Sequence, residues 1–389
     1  ALQCDLAEAL LDMGELAHAE EVASQAVAGG EALGDERLVT DASLVRLLVR
    51  YVTDSEGWTD SVLREVERAI PLLEEVGDHS SLAKAWRLLG NVHGTACRYA
   101  EAEHAIGQAI DHARLAGDRR QEVRNLPHYA TQALYGPTPV DLAIERCNQV
   151  LEEEPGDLRA EGIVRCTLAQ LHAMGGRFDE ARLLYRRGRE IFTQLGGRLL
   201  IASTSLDSGR VELMAGEPRG AIAELAPDHD ALEQMGERYL RSTIAGLLAR
   251  AEEEAGLFDA ADRHCRTCEE LSAPDDVEAQ ALWRGVRARL LARGGEIPAA
   301  TERAREAVEL TRTTDGLVMQ GGALLDLAFV LALAGDGQKA AAAATEAADL
   351  FDRKGNVVGL NVARAIVAAP TASMLAFEVS PADVVSRRA

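Results

Sequence analysis

Three arginines recur at one position of a repeating frame. Arg210, Arg250 and Arg289 are 40 and 39 residues apart, and each lies eleven residues before an alanine: Ala221, Ala261 or Ala300. A guanidinium presents a planar fork of donors that matches carboxylate and phosphate geometry. Extending the same position along the chain gives Glu8, Tyr51, Asn91, Gln132, Gln170, Arg210, Arg250, Arg289 and Phe329. The six members from Asn91 to Arg289 are all polar hydrogen-bonders. Arg87 and His128 lie four residues before Asn91 and Gln132, one turn back on the same helices. Arg87, Asn91, His128, Gln132, Gln170, Arg210, Arg250 and Arg289 are therefore the candidate ligand- or partner-binding residues. Two readings stay open for the arginines. They are donors to an anionic partner, or they are ion-paired with acidic neighbours such as Glu253 and Glu254.

Other constellations carry less chemistry. Cys265 and Cys268, in "CRTC" beside His264, have the form of a redox pair or half a zinc site. They fall four and seven residues after Ala261, the offsets that Ile106 and Ala109 hold after Ala102, so they read as part of a buried stripe. No second CxxC follows at metal spacing. "GDGQKA" (335–340) lacks the GxxxxGK[ST] pattern and any preceding strand. No G-x-S-x-G serine elbow occurs. The sequence offers no catalytic, cofactor-binding or metal-binding residue, and the chain reads as not an enzyme.

Composition narrows the partners. The 389 residues include 41 Lys+Arg and 63 Asp+Glu, a net charge of −22, which disfavours nucleic acid. Aromatics are only 4% against 47% hydrophobic residues, as expected for helices packed through small side chains. No apolar run is long enough to span a membrane. The amphipathic acidic start and six cysteines without framework spacing read as a reduced, cytoplasmic fragment of a longer protein.

The positions are set by a repeat. Ala19, Val62, Ala102, Ala143, Ala181, Ala221, Ala261, Ala300 and Ala340 mark the second helix of nine units, spaced by 38 to 43 residues. Gly-Asp signals such as Gly34–Asp35 and Gly117–Asp118 close the units, with Gly ending one helix and Asp capping the next. A shorter turn recurs five residues before the marker, as at Gly14, Gly176 and Gly256. The spacing predicts an all-α solenoid over residues 1–369. Its units are 1–35, 36–78, 79–118, 119–157, 158–197, 198–237, 238–276, 277–316 and 317–356, with a capping helix at 357–369. Residues 370–389 read as a mobile tail.

Trp86, Leu89, Gly90, Ala102, Ile106 and Ala109 resemble the tetratricopeptide-repeat signature W-x2-L-G-x2-Y…A-x3-F-x2-A, with His93 and Ile106 departing from its Tyr and Phe. Pro155 stands where that family often ends its second helix. The stretches "GDERLVTDASLVRLLVRYVTDSEGW" (34–58), "YGPTPVDLAIERC" (135–147) and "LFDRKGNVVG" (350–359) resemble the C-terminal repeat region of actinobacterial class III adenylate/guanylate cyclase-like proteins with an AAA/STAND ATPase module. Maltose-activator-type regulators are also similar. The resemblance implies a right-handed superhelix whose first helices line a concave face. It implies a non-catalytic sensor arm that binds a protein, peptide or anionic small ligand and regulates preceding ATPase and output domains. A transcription-regulator sensor and a self-associating scaffold are the alternatives.

Overall fold

The computed structural model describes residues 2–54, 57–153 and 156–370. Residues 371–389 of the expected tail, and Pro155, lie outside the described residues. Nineteen α-helices and no strand occur among the described residues. They pair as α1 (Leu2–Met13) with α2 (Leu16–Leu33), α3 (Glu36–Thr53) with α4 (Trp58–Glu75), α5 (His79–Thr95) with α6 (Tyr99–Ala116), and α7 (Arg119–Tyr135) with α8 (Val140–Glu153). Next come α9 (Leu158–Met174) with α10 (Phe178–Leu195), α11 (Arg198–Met214) with α12 (Pro218–Met235), and α13 (Tyr239–Glu254) with α14 (Phe258–Leu271). The last pairs are α15 (Val277–Arg293) with α16 (Ile297–Arg312) and α17 (Leu317–Leu333) with α18 (Gly337–Lys354), followed by α19 (Val357–Ala368). The fold is an all-α superhelical repeat.

The local signals act as their chemistry dictates. Gly34, Gly117 and Gly196 sit just past helices in the left-handed conformation, where a Cβ would be strained. The Asp78 carboxylate accepts from the Ser81 amide at 3.2 Å and caps α5. Asp35, Asp118, Asp157, Asp276 and Asp336 cap their helices in the same way. All nine marker residues, from Ala19 to Ala340, are completely buried, because they sit where the two helices of a pair come closest. A Cβ on Gly90 would come within 2.6 Å of Ile106 Cδ1, so a larger residue there would force the Ile106 side chain to move. Cys265 and Cys268 are packed between neighbouring pairs. Their thiols reach the carbonyls of Trp283 and Ala279 at 3.3 and 3.5 Å, and burial pushes Cys265 up to about 11.

The superhelix is tight. The first unit packs on the sixth through α1 and α11, and the fifth packs on α19. The second meets the seventh, where the Arg238 amide donates to Val52 O at 2.9 Å and Tyr51 stacks on Tyr239 with centroids 4.4 Å apart. Between the third and eighth, Asp315 accepts from the Tyr99 and Ala100 amides at 2.8 Å each. It supplies α6 with the acidic N-cap that its own Arg98 does not provide. Between the fourth and ninth, fully buried Lys354 donates to the carbonyls of Ala133, Gly136 and Thr138 at 2.7–2.8 Å, at the C-terminal end of α7. Each unit thus touches the unit five places on, and two turns of the superhelix stack directly. The seam is locally strained. Cys97 takes the tight-turn position that glycine holds at Gly176 and Gly256, at φ 52°, and its carbonyl accepts from the Asp315 amide.

Candidate functional site

Stacking the two turns encloses a cavity of about 810 Å³ in the second turn, walled by the inner helices α7 to α17 and by α19. Gln170, Arg210, Arg250 and Arg289 all line it. The side chains of the three arginines keep 12–15% exposure. Four arginines of the lining (Arg210, Arg250, Arg289 and Arg293) face four carboxylates (Glu253, Glu254, Glu278 and Asp326), so the formal charge cancels. Between the charges lie Met174, Met214, Leu247, Met319, Leu325 and Phe329. Flexible thioethers and aromatic faces suit an amphipathic guest.

Each arginine of the ladder is held. Arg250 makes a two-pronged pair with Asp326, Nη1 to Oδ1 at 2.6 Å and Nη2 to Oδ2. Arg289 Nε donates to Glu253 at 2.7 Å, and its guanidinium lies over the Phe329 ring at 4.1 Å. Arg210 donates to Glu278 at 2.5 Å and to the Tyr135 hydroxyl at 2.9 Å. Burial, the largest single effect, works to lower the pKa of Arg210, but Glu278, Tyr135 and Asp207 together outweigh it and the net shift is upward. In Arg250 burial is likewise outweighed, here by Asp326. Gln170 donates to Asp207 at 2.6 Å, and burial lifts that carboxyl to about 6. Burial also pushes Glu254 up.

The ladder therefore does not present free positive charge. The pairing named for Glu253 holds for Arg289, whereas the reading of Arg210, Arg250 and Arg289 as open donors to an anion is corrected. The physical reason is the tight turn, which brings carboxylates of units eight and nine across the lumen to arginines of units six and seven. Asp326 and Glu278 were invisible to the ladder because they lie 76 and 68 residues from their partners. One signal was available: Glu253 precedes Arg289 by 36 residues, one repeat less one helical turn, which places the two side by side on neighbouring inner helices.

The remaining candidates fall elsewhere. Arg87 and His128 enter the lumen of the first turn, away from this cavity. Asn91 and Gln132 are half-buried on α5 and α7, and neither lines the cavity. Cavity residues Tyr99 and Tyr135 stack at 5.8 Å across the units and belong to no ladder position. A second depression, of about 640 Å³, lies on α16 and is lined by that helix alone, so no elements converge on it. No group of three or more metal-ligand side chains comes together among the described residues. No helix among them is long and apolar enough to cross a membrane.

No protein-family model and no curated protein sequence matches the chain. Solved structures share its fold. A Rap protein complexed with Competence and Sporulation Factor is 12% identical, with a TM-score of 0.58 over 97% of this chain and 98% of the other. The APC/C hetero-tetramer Cut9-Hcn1 is also 12% identical, with a TM-score of 0.58 over 98% of this chain and 74% of the other. The architecture they share with this chain is the tetratricopeptide-type superhelix.

Proposed function

We propose that the chain is a non-catalytic sensor arm, and that its second-turn cavity encloses a short peptide segment. The observation that carries this reading is the cavity itself. Its 810 Å³ combine balanced, fixed Arg–carboxylate pairs with methionine and aromatic surface. Fixed donors and acceptors of both signs suit a backbone with charged ends or side chains, and the apolar stretches between them suit aliphatic side chains. The Rap protein of similar fold, bound to Competence and Sporulation Factor, supports a ligand-binding role for such a superhelix.

Regulation is the finer part of the proposal. The resemblance of the repeat stretches implies a preceding ATPase and nucleotidyl cyclase-type output. Helix α1 would lie nearest those domains, and it packs on α11, whose Arg210 lines the cavity. A guest that favours one spacing of the two turns would bias α1 and whatever it carries, provided its affinity differs between the two states.

The test uses Gly322, which lines the cavity and whose added Cβ meets no atom within 4 Å. Gly322→Leu projects an added side chain into the cavity from a position where its Cβ meets no neighbour, and so narrows the space for a guest. The wild-type chain is expected to enrich peptides carrying acidic, basic and aliphatic residues from a pool of short peptides, and the variant to retain none. Failure to enrich any peptide, or equal retention by the variant, would remove the reading.

A further inference from the structure

The lumen of the first turn is a different environment. Helix α1 contributes Glu8 and Asp12 to it, and Arg124 from α7 donates to Glu8 at 2.5 Å and to Asp12 at 2.9 Å. Arg159 from α9 approaches Asp12 at 3.6 Å. Arg87 from α5, only 8% exposed, pairs with no carboxylate among the described residues. Its Nη1 is buried without a hydrogen-bond partner there, as are Nε of Arg124 and both Nε and Nη1 of Arg159. Three guanidiniums thus meet two carboxylates, Glu8 and Asp12, and Glu8 Oε1 is itself buried without a partner. The adjoining Lys84–Asp41 pair, at 2.5 Å, and Arg120–Asp5 pair, at 2.8 Å, are balanced, and Asp157 also acts on Arg159.

Isolated buried charge costs several kcal/mol unless something compensates it. Its effect on titration is consistent with that cost. Burial, then Arg124, brings Arg87 down to about 9. Burial, then Arg87, Arg159 and Arg124, takes His128 well below its usual range, so its imidazole is neutral and keeps one N–H donor. Four buried N–H groups on three neighbouring helices are without partners, and all three guanidiniums lie close enough to His128 to act on it. Asp12 and Arg159 keep 30% and 23% of their side chains exposed, which leaves a route in. We infer that this chamber is a second site, for a small oxyanion of the phosphate or carboxylate class, held between Arg87, Arg124 and Arg159. None of the three lines the second-turn cavity, so the site stands apart from the proposed peptide chamber. An occupied site would tie α5, α7 and α9 to α1 through charge-assisted hydrogen bonds.

Thermal melts of the whole chain at constant ionic strength test this, with chloride replaced stepwise by inorganic phosphate or by acetate. The melting temperature of the wild-type protein should rise with the logarithm of ion concentration once it exceeds the dissociation constant, as mass action requires for a ligand of the folded state. A rise with phosphate alone assigns the phosphate class, and a rise with acetate as well assigns the carboxylate class. Arg87→Gln and Arg159→Gln should each weaken the apparent affinity roughly tenfold or more, since each loses a charge-assisted contact. In chloride, Arg87→Gln should melt no lower than wild type, because it removes an uncompensated charge. Should that variant fail to fold, the partly exposed Arg159 carries the measurement. No rise with either ion, or an undiminished rise in the variants, overturns the site.

Discussion

The two lumenal chambers are built by the same kind of inner helix and differ in their electrostatics. In the second turn Arg210, Arg250 and Arg289 each meet a carboxylate and surround open space. In the first turn Arg124 pairs with Glu8 and Asp12 of α1, and Arg87 is left without an ion-pair partner among the described residues. The two differ in what reaches them from across the lumen. The unit facing an arginine decides whether it is a structural pair or a vacant donor.

The largest expected effect breaks the wall that makes a chamber at all. Lys354→Met strips the carbonyls of Ala133, Gly136 and Thr138 of a buried partner at the seam between units four and nine. Urea unfolding should show a loss on the order of 4 kcal/mol, since each buried acceptor left unpaired costs about 1–3 kcal/mol. A change under about 1 kcal/mol would mean that water replaces the ammonium at no cost.

A smaller change converts the second chamber into the first. Asp326→Ala leaves Arg250 unpaired and gives its cavity a surplus positive charge. Stability should fall by about 2–3 kcal/mol, less than for a fully dry pair because both groups face the cavity. Phosphate should then recover part of the loss. Recovery would sharpen the contrast between the chambers, whereas a loss insensitive to phosphate would show that Asp326 matters through packing.

The seam also carries a pH dependence. Asp276 is buried, accepts from Ala279 N and Ser242 Oγ at 3.2 and 3.3 Å, and is lifted by burial to about 7. Folded, it keeps a proton that the unfolded chain has already lost. Its stabilising contribution is complete below about pH 4 and is lost as pH rises through about 7. Asp276→Asn keeps the cap but cannot ionise. The variant should match wild type below about pH 4 and exceed it by about 4 kcal/mol at pH 8, a gap that melts across this range would reveal. A gap independent of pH would place the ionised form in the native state.

The smallest effect has the opposite sign. Gly322→Leu adds a helix-favouring residue facing open space, and should stabilise by about 1 kcal/mol. Destabilisation would mean that the cavity is narrower than its walls imply.

Much of the fold was legible in the chain. The spacing of Ala19 to Ala340, the Gly-Asp punctuation and the "CRTC" offsets are local consequences of helix period and capping. Each is satisfied within one unit or between neighbours, and the marker residues and Cys265 and Cys268 are fully buried as that period requires. The ladder was legible as a set of inward positions, and Gln170, Arg210, Arg250 and Arg289 do share one cavity. The partition of the ladder into two chambers was not legible. It follows from the number of units per superhelical turn, which is fixed by small tilts summed over many helix crossings. No single residue encodes that number. Once five units complete a turn, Asp315 can cap a helix that starts 216 residues earlier. Lys354 can then close another helix 221 residues before it, and Asp326 can neutralise Arg250. The sequence by itself determined which residues face inward, because helical period is a local property. Only the tertiary structure decided which of them meet, because contact across the lumen depends on the curvature accumulated by all the units between.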